Sequence, residues 1–131
     1  MTTARKKIAY SEDIVTSIPP PSNWRDASDM RWAARHWASR IGVNLRAIHI
    51  RPMTTKWASI STAGRLTLDT ALLEIDRELG EFVIVHELVH LLCPDARHGR
   101  VFKSFMTAYL PGWSELERGL QEKSRPMNKP R

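Results

Sequence analysis

Cysteine and long apolar stretches are what this chain has least of. Its 131 residues contain one cysteine, Cys93, so an intramolecular disulfide framework is excluded. No stretch approaches the roughly 20 apolar residues that cross a bilayer, and residues 1–7 lack the apolar segment of a secretion signal. These absences predict a soluble, cytoplasmic protein with no membrane association.

The size and charge of the chain narrow its class further. With 42% hydrophobic residues, 131 residues suffice for one domain with a core and are too few for two ordinary domains. We predict a single domain over residues 23–122, an extended proline-containing lead-in at 1–22 and a flexible basic tail at 123–131.

Charge is distributed unevenly along the chain. The net charge is +6, yet residues 69–95 contain seven acidic residues and one basic residue, a local balance of 1 − 7 = −6. The basic flanks can attract nucleic acid weakly, although basic charge more often serves solubility.

The acidic segment contains the sequence His-Glu-Leu-Val-His at residues 86–90. On a helix, residues four apart lie on one face, so His86 and His90 can bind one ion with Glu87 beside them. The surrounding run 79–92 is apolar on almost every side, which predicts a helix through the core. Core histidines satisfied by backbone carbonyls are the alternative, but the spacing and the intervening glutamate favour a zinc site.

A catalytic zinc usually has three protein ligands and an open fourth position, so a further donor is expected beyond this helix. Pro94 ends the helix, and a short segment then leads to His98. We predict His98 as the third ligand, because Gly99 lets the backbone pass close to the helix. Asp95 is the competing candidate, and Cys93 is expected to be a buried free thiol.

The first part of the predicted domain contains one helix and three strands. The helix is expected to be capped by Asn23, with Asp26 at its third position, and to end at Gly42. His36 lies beside its apolar stripe and is expected to be a packing or surface residue, not a metal ligand. Strands are predicted at 45–50, 56–60 and 65–68, and their β-branched or alternating residues indicate a small, mainly antiparallel sheet.

Two further helices are predicted after His98. The first is amphipathic and is stopped by Pro111. The second is short, starting at Ser114 with Glu117 completing a capping box, and it ends near Gln121. Together with the sheet and the helix around residues 86–90, these elements predict an α+β fold.

Three blocks of sequence occur in order between Arg51 and Trp113. They are residues 51–69, which include Trp57-Ala-Ser59; residues 85–91, which contain the paired histidines; and residues 98–113, which end in Pro-Gly-Trp. Together they resemble the YgjP-like metallopeptidases, relatives of the SprT-like and minigluzincin zinc peptidases. The resemblance implies a zinc-dependent peptidase with His86, His90 and His98 as ligands and Glu87 as catalytic base.

The expected reaction is hydrolysis of peptide bonds by Glu87-assisted attack of zinc-bound water. The strand containing Trp57 and Ser59 is the candidate for holding an extended peptide or protein substrate by main-chain pairing. The group that stabilises the oxyanion is not identified, and three residues are open candidates: His49, Arg51 and Tyr109.

Two other functions are compatible with the same residues. A zinc-dependent hydrolase of a phosphate-containing small molecule would use the same metal chemistry and would need a basic pocket beside the metal. A non-catalytic, zinc-stabilised nucleic-acid-binding module would need a fourth protein ligand and salt-sensitive binding.

Overall fold

A computed structural model of the chain describes residues 23–94 and 98–124. Its elements in chain order are α1 (Ala27–Ile41), β1 (Ala47–Arg51), β2 (Ala58–Ile60), β3 (Arg65–Asp69), a 3₁₀ helix (Thr70–Glu74), α2 (Arg77–Leu92), α3 (Arg100–Tyr109) and α4 (Trp113–Ser124). The predicted α+β class is confirmed. The lead-in predicted at 1–22 lies outside the described residues.

Helix α1 begins later than the sequence predicts. Its N-cap is Asp26, whose side chain accepts a hydrogen bond from the Asp29 N–H at 2.9 Å, so the cap predicted at Asn23 is wrong. The difference arises because Trp24 is buried in the core, which keeps the segment before Asp26 out of the helix. The predicted end is confirmed: Gly42 adopts a left-handed conformation with φ of 86°, and its N–H donates to the Ala38 carbonyl.

The sheet is mixed, with the strand order β1-β3-β2. Strands β2 and β3 form an antiparallel pair, whereas β1 and β3 are parallel over five residue pairs. The prediction of a mainly antiparallel sheet is therefore wrong for β1. The chain crosses from β1 to β2 before β3 fills the position between them, where Leu66 and Leu68 are completely buried.

Helix α2 runs through the centre of the domain. It packs against α1, β2, the 3₁₀ helix, α3 and α4. Val85, Leu88 and Val89 are completely buried, as the apolar run predicts. In its second half, α2 therefore packs these three residues into the core, while His86, Glu87 and His90 are only partly buried.

A buried ion-pair network joins α1 to the first turns of α2. Arg77 donates through Nη1 to Asp29 Oδ2 and through Nε to Glu81 Oε2, both at 2.8 Å. Glu81 also accepts a 2.7 Å hydrogen bond from the indole N–H of Trp37. Burial alone would raise the pKa of Asp29, but hydrogen bonds from the Arg25 N–H and from Arg77, with the charges of both arginines, lower that pKa overall.

The two C-terminal helices pack on α2. Helix α3 ends at Tyr109, close to the predicted stop at Pro111. Helix α4 begins at Trp113, so Ser114 lies in its first turn and is not its cap; the Trp113 N–H donates to the Leu110 carbonyl. The helix continues to Ser124, three residues past the predicted end, and the rest of the predicted tail lies outside the described residues.

Within the described ranges, none of the helices combines the length and apolar character that crossing a membrane requires. The cytoplasmic location stays a prediction.

Candidate metal site

Helix α2 presents His86 and His90 one turn apart on one face, and the buried Phe82 contacts His86 from the preceding turn. Both imidazoles are partly buried, with ring centroids 5.1 Å apart. The spacing of four residues explains this placement, because it brings two side chains to one helix face.

His98 joins this pair from the segment that precedes α3. Its Nε2 lies 3.2 Å from His90 Nε2, and one ring nitrogen from each of the three histidines lies within 4.8 Å of the others. Tetrahedral zinc with bonds of about 2.0–2.1 Å separates two ligand nitrogens by roughly 3.3 Å, so the 3.2 Å spacing fits a shared ion. Asp95, the competing third ligand, lies outside the described residues.

The pKa values of two of the three histidines also favour metal binding. Burial is the main cause that lowers the pKa of His90, and the charges of His86 and His98 lower it further against the opposing charge of Glu87. Burial likewise lowers the pKa of His98. Neutral imidazoles are the form that ligates metal, so the lowered pKa values of His90 and His98 favour metal binding by these two side chains.

The aromatic ring of Phe102, in the first turn of α3, contacts all three imidazoles. Its centroid lies 5.3 Å from that of His86, 4.8 Å from that of His90 and 4.6 Å from that of His98. Phe102 is 4% exposed, so this contact surface is fixed in the core. It restricts the position of His98, which otherwise lies on an exposed segment.

Glu87 lies beside the triad at the surface of a cleft. Its Oε2 is 3.3 Å from His86 Nδ1, and its side chain is 15% exposed. A carboxylate in this position can accept a proton from a molecule in the cleft.

The cleft beside the triad has a volume of about 490 Å³. One wall is the edge strand β2 with the turn that follows it, and the other is α2 with His98. The β2 side contributes six residues: Lys56, Ala58, Ser59, Ile60, Ser61 and Thr62. Ser59, which the sequence predicts to bind substrate, lines the cleft. Trp57, the other residue predicted to bind substrate, is 4% exposed and does not line the cleft.

A smaller cavity of about 240 Å³ lies on the α3 and α4 side of His86 and His98. Phe102, Met106 and Trp113 give it an apolar lining, while Lys103 and Glu117 add one charge of each sign. His86 and His98 therefore line both cavities, whereas His90 lines only the larger one.

Several residues considered from the sequence lie elsewhere. His49, Arg51 and Tyr109 line neither cavity, and the Tyr109 hydroxyl lies 3.5 Å from the Ile41 carbonyl oxygen. Cys93 is a free thiol, as predicted, but it is only partly buried. His36 is exposed on α1.

The sequence interpretation missed the contact between Phe102 and the three imidazoles, and it missed the cleft residues Lys56, Ser61 and Thr62. Phe102 lies four residues after His98, but His98 precedes α3, so this spacing alone does not place the ring against the imidazoles. The turn residues could not be placed at the cleft before the strand order was known.

Comparisons with known proteins indicate the family of this chain. The family profile described as "YgjP-like, metallopeptidase domain" matches residues 25–123. A comparison with curated protein sequences gives no significant match.

Two solved structures have a similar fold. One is the metallopeptidase zymogen of abylysin from Pyrococcus abyssi, with a TM-score of 0.65 and 24% identity over 77% of this chain and 97% of that one. The other is the metallopeptidase zymogen of jannalysin from Methanocaldococcus jannaschii, with a TM-score of 0.65 and 27% identity over 72% and 95%. The matched residues include His86, Glu87, His90, His98 and the edge strand β2. By this match the chain belongs to the YgjP-like metallopeptidase family.

Proposed function

We propose that this chain is a zinc-dependent metallopeptidase in which His86, His90 and His98 bind the metal and Glu87 is the general base. The observation that carries the proposal is the convergence of three imidazole donors within 4.8 Å beside a carboxylate in an open cleft. Three nitrogen ligands with room for a further one are typical of catalytic zinc. When bound, zinc supplies Lewis-acid chemistry, polarising a scissile carbonyl and making water easier to deprotonate.

Glu87 performs the proton transfers. It lies on the same helix as two of the proposed ligands, directly after His86, so α2 fixes its position relative to them. Its carboxylate accepts the proton of the attacking water and later donates it to the leaving amine. The partial burial of Glu87 limits exchange with bulk solvent while leaving the carboxylate accessible from the cleft.

A peptide substrate is favoured by the edge strand beside the metal ligands. The Asp69 N–H donates to the Trp57 carbonyl and the Ser61 N–H donates to the Arg65 carbonyl. Because antiparallel pairing alternates along a strand, the N–H and C=O groups of Ala58 and Ile60 point away from β3, towards the outer edge. An extended peptide can pair with these groups and lie along the cleft.

The other two functions considered have less support. A hydrolase of phosphate compounds needs a cluster of cations near the metal, and the described residues that line the two cavities include only one lysine in each, Lys56 in the cleft and Lys103 in the smaller cavity. A structural zinc site needs a fourth protein ligand, and within the described residues the candidate group consists of three histidines.

Peptide hydrolysis by matched variants tests the proposal. The zinc-loaded wild-type chain should cleave an unstructured protein substrate, detected by mass spectrometry of the fragments. Glu87→Gln should still bind one zinc but lose activity by about 100-fold or more, because general-base catalysis contributes about that much. Glu74→Gln, which removes an exposed glutamate outside the cleft, is the control and should remain fully active.

Full activity of Glu87→Gln would exclude this role for Glu87. Release of phosphate from a phosphate ester by the wild-type chain, without cleavage of any protein substrate, would favour the alternative hydrolase.

A further inference from the structure

Positive charge is concentrated in the half of the domain formed by α1 and the sheet. Residues 23–68 contain eight lysines and arginines and two acidic residues, so their balance of 8 − 2 = +6 equals the net charge of the whole chain. All eight cations are exposed: Arg25, Arg31, Arg35, Arg40, Arg46, Arg51, Lys56 and Arg65. Of the two acids, Asp29 is buried against Arg77, which leaves Asp26 at the surface.

The exposed side of α1 contains no acidic residue. Its seven exposed residues are Ser28, Arg31, Trp32, Arg35, His36, Ser39 and Arg40. Trp32 is 61% exposed, which is unusual for so large an apolar side chain. Its ring is stacked on the imidazole of His36, with centroids 4.9 Å apart and planes inclined by only 9°. A flat aromatic pair thus lies among the arginines.

Two of these arginines are held in place by the sheet. Arg31 donates through Nη1 to the Ile48 carbonyl and Arg35 donates through Nη1 to the Leu45 carbonyl, both at 2.6 Å. Each guanidinium has five N–H donors, so both retain donors for another acceptor. Their positions are fixed, which reduces the entropy lost when they bind an anion.

We propose that this surface, the α1 face formed by Arg31, Trp32, Arg35, His36 and Arg40, binds single-stranded nucleic acid. The arginines would contact phosphates, and an unpaired base would stack on Trp32. Stacking requires a base that is not enclosed in a duplex, which favours a single strand over double-stranded DNA. This inference does not depend on the proposed peptidase activity.

Other anionic partners fit the α1 face less well. An acidic peptide would satisfy the arginines but has no planar base for the exposed indole. An anionic membrane requires a helix with a continuous apolar face at the surface, and the apolar face of α1 is buried in the core.

The α1 face and the cleft can be occupied at the same time. Two of its arginines contact the backbone at β1 and just before it, whereas β2 lines the cleft at the opposite edge of the three-stranded sheet. A bound strand would therefore leave the wall of the cleft accessible.

Fluorescence anisotropy of a labelled oligothymidylate with the full chain tests the proposal. With three phosphate contacts, one for each arginine of the α1 face, affinity should fall roughly 20-fold between 50 and 200 mM salt. Trp32→Ala should weaken binding at least about fivefold, the minimum expected from loss of one base–aromatic stack. The control Val101→Ala removes an apolar side chain on α3 that is 63% exposed, and this variant should bind like the wild-type chain.

A charge-matched pair separates a local site from overall charge. Arg40→Glu and Arg118→Glu each change the net charge from +6 to +4, but Arg118 lies on α4 and pairs with Glu115 at the surface. Only Arg40→Glu should weaken binding and reduce the salt dependence. Equal effects of the two variants would overturn the proposal, as would tighter binding to polyglutamate or to phosphatidylserine vesicles than to the oligonucleotide.

Discussion

The ring of Phe102 stacks on the imidazole of His98, with centroids 4.6 Å apart and planes inclined by 27°. Phe102 is buried at the start of α3, whereas His98 lies on the exposed segment before that helix. The stack therefore links the position of the proposed third ligand to the core.

Replacing Phe102 by leucine should weaken zinc binding while preserving the fold. Leucine keeps an apolar side chain in the core but removes the aromatic contacts with the three imidazoles. Such contacts contribute about 0.5–1.5 kcal/mol, so zinc affinity should fall roughly two- to tenfold. Titration against a chelator of known affinity measures this change. The control Phe105→Leu, on the same helix, should not alter zinc affinity; an unchanged affinity in Phe102→Leu would contradict the role of the stack.

Proline in place of Ile60 should impair substrate binding without unfolding the sheet. The Ile60 N–H is expected to point away from β3, so proline removes a donor from the open edge and leaves the pairing with β3 intact. We expect kcat/KM for a protein substrate to fall about tenfold, roughly the contribution of one hydrogen bond and the disturbed pairing around it. Ile60→Val is the control because it retains the N–H. If both variants cleave equally well, peptides do not pair with β2 in the proposed way.

Much of the candidate site follows from the sequence for identifiable physical reasons. The spacing of His86 and His90 determines that they share a helix face, and the apolar run around them determines that this helix lies in the core. The placement of His98 follows less directly, because His98 comes after the proline that ends α2 and its spacing from His90 does not place it on a shared helix face. The contact with Phe102 supplies that constraint, and it becomes visible only once α3 is packed against α2.

The strand order could not be obtained in the same way. Alternating residues predict that β1, β2 and β3 are strands, but they do not specify which strand lies in the middle. The burial of Trp57 depends on that order as well. For α1, Asn23 and Asp26 are both good caps, and the burial of Trp24 between them decides in favour of Asp26.

The Asp29–Arg77 ion pair should make stability depend on pH in acid. Because the folded state lowers the pKa of Asp29, its ion pair contributes stability above the ordinary pKa near 3.8, and this contribution is lost as the pH falls through the lowered value. Asp29→Asn should cost about 3 kcal/mol at neutral pH, the lower end for breaking a buried pair, since Glu81 still pairs with Arg77.

Urea denaturation from pH 7 down to pH 2 measures this dependence. The difference between the wild-type chain and Asp29→Asn should shrink below about pH 3.8. A difference that stays constant across that range would mean that the charge of Asp29 contributes nothing.

Replacing Gly80 by alanine should lower the stability of the fold. A Cβ at Gly80 would lie 2.8 Å from the ring of Trp24, which is itself buried and covered by the Arg77 guanidinium at 4.4 Å. Gly80→Ala should therefore destabilise the fold by about 1–3 kcal/mol through overpacking. Gly119→Ala is the matched control, because its Cβ would meet Leu79 at an ordinary 3.4 Å and alanine favours the helix. Thermal denaturation should show a lower Tm for the first variant only.

The ligand set of the metal is the central claim, and a crystal structure of the zinc-loaded chain measured at the zinc absorption edge tests it most directly. We predict one anomalous peak with nitrogen atoms of His86, His90 and His98 at about 2.0–2.1 Å and a fourth position not taken by the protein. A fourth protein ligand, or Asp95 in the place of His98, would contradict the account.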